Sequence, residues 1–146
     1  MSFPQRKSLP HAVPPWVKDG ATYFFTQCLQ DRTRSDLVRA ETAGALLAAV
    51  RNYHDRQIWF MRLFLLMPDH LHALVSFPAG QSLRVAWSSW KRYTAKTTGV
   101  IWQRDFFEHR LRSEESWEQR ARYIRENPVR KGLVTEGGLW PWYFEP

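Results

Sequence analysis

Met67-Pro68-Asp69-His70-Leu71-His72-Ala73-Leu74-Val75-Ser76-Phe77 is the stretch whose reading decides the fold. After the Pro68-Asp69 turn, Leu71, Ala73, Val75 and Phe77 alternate with His70, His72, Leu74 and Ser76, the period-two pattern of a strand with one apolar face. Residues i and i+2 of a strand point to the same side, so both imidazoles can reach one metal ion or one phosphate. Polar alternation alone also produces such a pair on a surface strand, so its weight depends on the rest of the chain.

Outward from that stretch, Ile58 to Met67 is apolar almost throughout, broken by Arg62, as expected of a central strand covered on both faces. The short turn then makes an antiparallel hairpin with the histidine strand. Upstream, Ala21 to Leu29 reads as the first strand, with Tyr23, Phe25 and Gln27 on one side and Thr22, Phe24, Thr26 and Cys28 on the other. Between them Leu46, Leu47, Val50 and Tyr53 recur at three and four, which predicts a helix from about Thr42 to Tyr53. Downstream, Ser82 is placed to cap a helix that Gly99 ends, with Leu83, Trp87 or Ala86, Trp90 and Tyr93 or Thr94 facing inward. Ile101 to Leu111 has the aromatic density of a strand. A last helix is expected to begin near Ser113, where Glu114 and Glu115 complement the helix dipole, and to stop at Asn127, because Pro128 disfavours a helical conformation before it. The aromatic tail Trp140, Trp142, Tyr143 and Phe144 should fold back on the core. This order describes an α+β fold, a ferredoxin-like antiparallel sheet with helices mainly on one face, the other face open to a ligand, and an added C-terminal helix that carries Tyr123.

The 146 residues fit one domain over residues 21 to 146, preceded by an extended arm over residues 1 to 20, where Pro4, Pro10, Pro14 and Pro15 follow no periodic pattern. Lys and Arg number 21 against 14 Asp and Glu, a formal charge of +7, and 15% of residues are aromatic, a composition suited to an anionic, stackable partner such as nucleic acid. No apolar run approaches the roughly 20 residues of a membrane span, and no secretory signal is evident, so a cytoplasmic protein with no membrane partner is expected. Cys28, the single cysteine, reads as a buried structural thiol.

On the last helix Trp117, Ala121 and Ile124 make a core-facing stripe, while Tyr123 and Asn127 lie together off it, one turn apart on the same side. Two imidazole nitrogens and one carboxamide oxygen, from His70, His72 and Asn127, would give a metal three protein ligands and leave positions open for phosphate oxygens or water. A phenol is a weak nucleophile at neutral pH, so attack by Tyr123 at phosphorus needs a metal-polarised phosphodiester. Taken singly, Tyr123 is an ordinary surface tyrosine and Asn127 an ordinary cap before proline. The basic residues Arg84, Lys91, Arg92 and Lys96 of the middle helix spread over its remaining surface, where a phosphate-tracking role fits the net charge. His54 and His11 read as structural or solvent-exposed, His109 as structural, and Tyr93, a rival nucleophile on generic grounds, as a packing residue.

The segments Met67-Pro-Asp-His-Leu-His72, Trp102-Gln-Arg-Asp-Phe-Phe-Glu-His109 and Tyr123-Ile-Arg-Glu-Asn-Pro-Val-Arg-Lys-Gly-Leu-Val134 together resemble the REP-associated tyrosine transposases, a branch of the single-tyrosine HUH transposases. The resemblance runs from about Tyr23 to Phe144 and includes the Leu9-Pro10-His11 and Pro15-Trp16 arm. It implies a DNA endonuclease and strand transferase for DNA transposition and recombination, acting on single-stranded or hairpin DNA as a monomer or homodimer, with Arg84, Lys91, Arg92 and Lys96 of the middle helix, the arm and Lys131 as the candidates for DNA contact. It implies Mg²⁺ or Mn²⁺ as the cofactor, His70, His72 and Asn127 as metal ligands, and Tyr123 as the nucleophile that forms a 5′-phosphotyrosine intermediate. Asn127 stands where related transposases place a glutamine. The competing reading is a domesticated module that holds hairpin DNA or RNA without catalysis. A metal-dependent amidohydrolase also uses His-x-His, but its barrel needs about 250 residues, more than this chain has.

Overall fold

The computed structural model describes residues 13–112 and 114–146, without the side chains of 114 and 115. Five strands, β1 (Tyr23–Cys28), β2 (Phe60–Leu66), β3 (His70–Ser76), β4 (Phe107–Arg110) and β5 (Tyr143–Phe144), form one antiparallel sheet in the order β4-β1-β3-β2-β5. Three helices join them: α1 (Ala40–Asp55), α2 (Leu83–Thr98) and α3 (Glu114–Arg130). The expected α+β sheet is therefore present, with its order of elements and its C-terminal helix.

Each face of the sheet has its own core. The larger one packs α1 and α2 on the side of Phe25, Leu71, Ala73 and Val75, and its centre is aromatic: Trp59, Trp87 and Trp90 are fully buried. Full burial of one such side chain contributes about 1.5–3 kcal/mol, so three in contact fix the helix layer firmly. Trp87 and Trp90 stack with centroids 5.1 Å apart, and Trp87 Nε1 donates to the buried Gln27 Oε1 at 3.0 Å. The smaller core sets Trp117, Ala121 and Ile124 of α3 against Phe24, Leu63, Leu65 and Leu74. The face that the sequence leaves open is thus partly roofed by α3, whose apolar stripe packs against it.

Arg62, the charge inside an apolar strand, has a structural cause. Met61 pairs with Val75 but Leu63 pairs with Leu74, so Arg62 is the extra residue of a β-bulge. The bulge reverses the alternation: Met61 faces α1 and α2, whereas beyond it Leu63 and Leu65 face α3. Arg62 itself is buried on the α3 side, donating to Thr22 Oγ1 at 3.0 Å and lying 5.0 Å from the Trp117 ring centroid.

Several boundaries depart from expectation. The strand expected over Ile101 to Leu111 is confined to β4, with Trp102 forming only an isolated bridge to Leu29. Helix α3 does not stop at Asn127 but runs through Pro128 to Arg130. Proline removes only its own N–H, and the turn beyond it is closed by Leu133 N donating to Pro128 O and Gly132 N to Val129 O, both at 2.9 Å. That paired closure around Gly132, at φ 75°, is a Schellman motif, so the glycine rather than the proline ends the helix. Ser82 and Gly99 do cap α2: Ser82 Oγ accepts from Val85 N, and Gly99 has φ 83°. Thr94 rather than Tyr93 completes the inward stripe, leaving Tyr93 exposed.

Of the expected arm, residues 1–12, with His11, lie outside the described residues. Residues 13–20 hold more order than expected, a short 3-10 turn at Lys18–Gly20 and a bridge from Val17 to Pro78. Ser113 also lies outside the described residues, as do the side chains of Glu114 and Glu115. The tail does fold back: β5 pairs with β2, Phe144 is buried, and Arg125 of α3 pairs with Glu145. Cys28 is half-buried rather than buried. No helix among the described residues is long and apolar enough to cross a membrane.

Candidate active site

The site is built where β3 meets α3. The alternation of β3 sends His70 and His72 to the α3 face, with ring centroids 4.9 Å apart. Tyr123, on the turn of α3 above them, puts its ring centroid 6.0 Å from that of His72 and remains 43% exposed. Asn127, one turn further along α3, is buried. The four residues singled out in the sequence thus lie on one strand face and one helix that packs across it.

Each imidazole is held by its Nδ1 atom. The Asp69 carboxylate accepts from His70 Nδ1 at 2.8 Å, and Thr26 Oγ1 lies 3.0 Å from His72 Nδ1. Both Nε2 atoms are therefore left to act elsewhere, the arrangement by which a carboxylate or hydroxyl behind a histidine orients it as a metal ligand. Asp69 is itself held by Arg32 at 2.7 Å. Burial works to raise its pKa, but the hydrogen bonds from His70 and Arg32 outweigh it and hold the carboxyl below its ordinary value. His72 is pushed down to about 3, first by burial and then by the charges of His70, Arg120, Arg130 and Lys131. It is consequently a neutral imidazole at neutral pH, the form that a metal requires.

The Asn127 amide tests whether this donor set suits a metal. Its Oδ1 and Nδ2 are both buried without a hydrogen-bond partner among the described residues, a costly condition for an amide. A cation would take up the Oδ1 half of that amide, and with two imidazole nitrogens beside it the residues present fit a divalent ion with mixed nitrogen and oxygen ligands. No group of three His, Cys, Asp or Glu residues could hold a metal among the described residues, so Asn127 would have to supply the third protein ligand.

Residues not singled out in the sequence complete the site. Arg130 lies over the Tyr123 ring, 4.4 Å from its centroid, and donates to Tyr123 O at 2.6 Å. Arg120 lies 4.7 Å over the Phe24 ring, and Phe24 stacks on His72 with centroids 5.5 Å apart. Spacing could have found both arginines, because 120, 123, 127 and 130 continue the three-and-four rhythm of one helix face. Thr26 had no such signal, since only strand pairing sets it opposite His72.

The expected DNA contacts divide. Lys131 follows α3 directly, its N–H donating to Asn127 O at 2.9 Å, and its charge acts on His72. Arg84, Lys91, Arg92 and Lys96 all belong to α2, in the layer on the other face of the sheet. Lys91 is spent on the chain itself, donating to Gln103 O and Arg104 O at 2.7 and 2.8 Å, and Arg84 lies 5.4 Å from the Phe106 centroid. His54 is structural, accepting from Met61 N at 3.0 Å. His109 is exposed on β4.

No family model matches the chain. It is 29% identical over 126 residues to the REP-associated tyrosine transposase of Escherichia coli, covering 84% of this chain and 75% of that protein. It is 28% identical over 141 residues to a Haemophilus influenzae protein of the same family name, covering 84% of this chain and 78% of that protein. Among solved structures, a REP-associated tyrosine transposase bound to a REP hairpin superposes with a TM-score of 0.75 at 25% identity, over 90% of this chain and 80% of that one. A transposase-like chain from Deinococcus radiodurans shares the fold at a TM-score of 0.50 and 16% identity, over 72% of this chain and 88% of that one. With two such relatives over most of its length and the fold in common, the chain is similar to the REP-associated tyrosine transposases in both sequence and structure.

Proposed function

We propose that the chain cleaves and rejoins single-stranded DNA at hairpin-forming repeats through a covalent 5′-phosphotyrosine intermediate, with a divalent metal as cofactor. The observation that supports this most directly is the placement of the Tyr123 ring beside the imidazole pair, with both Nε2 atoms uncommitted. The likeness to a relative solved with a REP hairpin supports the choice of DNA.

In this reading Tyr123 Oη attacks a backbone phosphorus, the phenolic proton passes to solvent at this half-exposed residue, and the P–O3′ bond breaks as the leaving O3′ takes a proton from solvent. The products are a phosphotyrosine carrying the 5′ side and a free 3′-hydroxyl. The covalent link conserves the phosphodiester energy, so a 3′-hydroxyl can reverse the step without ATP. His70, His72 and Asn127 would hold Mg²⁺ or Mn²⁺, which when bound supplies stabilisation of charge on the phosphate oxygens. Arg130 orients the phenol, and Arg120 and Lys131 offset the phosphate charge on the same side of the sheet.

The test is a denaturing gel of the protein with labelled hairpin oligonucleotides, including the repeats that flank its own gene, with Mn²⁺ or EDTA. A metal-dependent, SDS-resistant adduct is expected, and Tyr123→Phe should abolish it while binding DNA as before. Tight metal-independent binding with no adduct would instead favour the hairpin-binding module.

A further inference from the structure

We infer that Phe107 and His109, on edge strand β4, form a stacking subsite for an unpaired base that flanks the phosphate attacked by Tyr123, a reading that rests on the function proposed above. Among the described residues β4 is the outermost strand on its side of the sheet, paired only with β1. Its register sets Phe107 opposite Thr26 and His109 opposite Phe24, so both side chains share the sheet face of His70 and His72.

That face carries a continuous run of rings. His72 stacks on Phe24 with centroids 5.5 Å apart and planes 22° from parallel, and Phe107 meets Phe24 edge-on at 6.0 Å. The inner members are closed: Phe24 is 5% exposed beneath the Arg120 guanidinium, and His72 is buried. The run opens to solvent at Phe107, which is 55% exposed. A single exposed aromatic is unremarkable by itself. This one terminates a file of rings that begins at the proposed metal ligands.

Its surroundings specify the occupant. Further along the strand lies a cavity of about 430 Å³ lined by His109, Arg110, Leu111 and Arg112, and on the ring's own face the Arg120 guanidinium covers the adjoining Phe24, so a flat apolar ring has a cation close by. A ring to take a base and cations to take the adjoining phosphates is the combination that holds single-stranded nucleic acid, tolerant of sequence because every base has a π-face. Duplex DNA offers no free base to such a ring, so the ligand is the unpaired nucleotide beside a hairpin and not the hairpin stem.

The experiment uses fluorescein-labelled hairpins drawn from the repeats flanking the chain's gene, with unpaired extensions on both sides, and a series in which one extension base at a time is abasic. Affinities are read by anisotropy for the whole chain and for Phe107→Leu and Phe107→Trp. Leucine keeps the packing against Phe24 but offers no stacking surface, and thermal melts confirm that both variants are folded. Removal of one particular base should weaken wild-type binding about 5- to 150-fold. Phe107→Leu should weaken binding of the intact oligonucleotide similarly and lose nothing more at that abasic position, and Phe107→Trp should restore wild-type behaviour. An unchanged affinity for Phe107→Leu, or an equal loss for hairpins lacking the extensions, would overturn the inference while leaving the proposed chemistry standing. If the wild-type chain binds none of these oligonucleotides, both the proposed function and this subsite fall.

Discussion

Arg130 shows how one side chain can tie the proposed nucleophile to its helix and to its charge environment at once. Its guanidinium covers the Tyr123 ring and also holds the Tyr123 carbonyl, so the phenol is fixed from its face and from its backbone. Small losses of alignment are expensive in a displacement at phosphorus, and Arg130→Met should slow adduct formation about a hundredfold in single-turnover assays. Arg130→Lys should recover part of that loss, because a cation over the ring remains. The ion pair of Arg130 with Glu126 at 3.5 Å is exposed and contributes little to stability. His72 makes a separate prediction for the metal-free chain. Its folded pKa of about 3 lies below the ordinary value of 6.5, so between these limits the unfolded chain binds the extra proton. Its contribution is therefore complete above pH 6.5 and is lost as pH falls toward 3, with a slope of at most about 1.4 kcal/mol per pH unit. Urea titrations in EDTA across that window should show the decline, and His72→Gln should flatten it.

Helix α3 carries the proposed chemistry on one side and its own anchorage on the other. Trp117, Ala121 and Ile124 hold it to the sheet, and Arg125 with Glu145 ties it to the tail strand. Its C-terminal closure depends on Gly132, where an added Cβ would meet no atom within 4 Å, so a substitution there is strained by the positive φ alone. Gly132→Ala should cost about 1–2 kcal/mol in denaturant unfolding, with faster amide exchange in the last turn of α3, while the core is untouched. The reading of a helix end at Asn127 failed here for a definable reason. Proline disfavours helix in the residue before it but does not forbid it, and the buried positions of Ile124, Asn127 and Pro128 keep the helix seated past that point.

Over the whole molecule the charge of +7 is divided between two layers, and only part of it faces the site. If Arg120 and Lys131 contact phosphates of a single strand, neutralising each should reduce the slope of log K against log salt by about 0.7. Lys91→Gln should leave that slope nearly unchanged and lower the melting temperature, because Lys91 holds the Gln103 and Arg104 carbonyls. The sequence by itself determined the element order, the caps of α2 at Ser82 and Gly99, and the shared face of His70 and His72, since alternation, capping and three-and-four spacing are local rules. Its pairing of Tyr123 with Asn127 rests on the same helical period, and the family resemblance came from three short motifs. The bulge at Arg62 was invisible there, because an extra residue in an apolar strand leaves the composition unchanged. Which sheet face α3 covers, that α2 and its cations lie on the other, and that Thr26 and Phe24 back His72 were decided only by tertiary structure. The physical reason is that contacts between residues some 50 positions apart arise from strand pairing and from burial of apolar stripes against one another, neither of which any local pattern encodes.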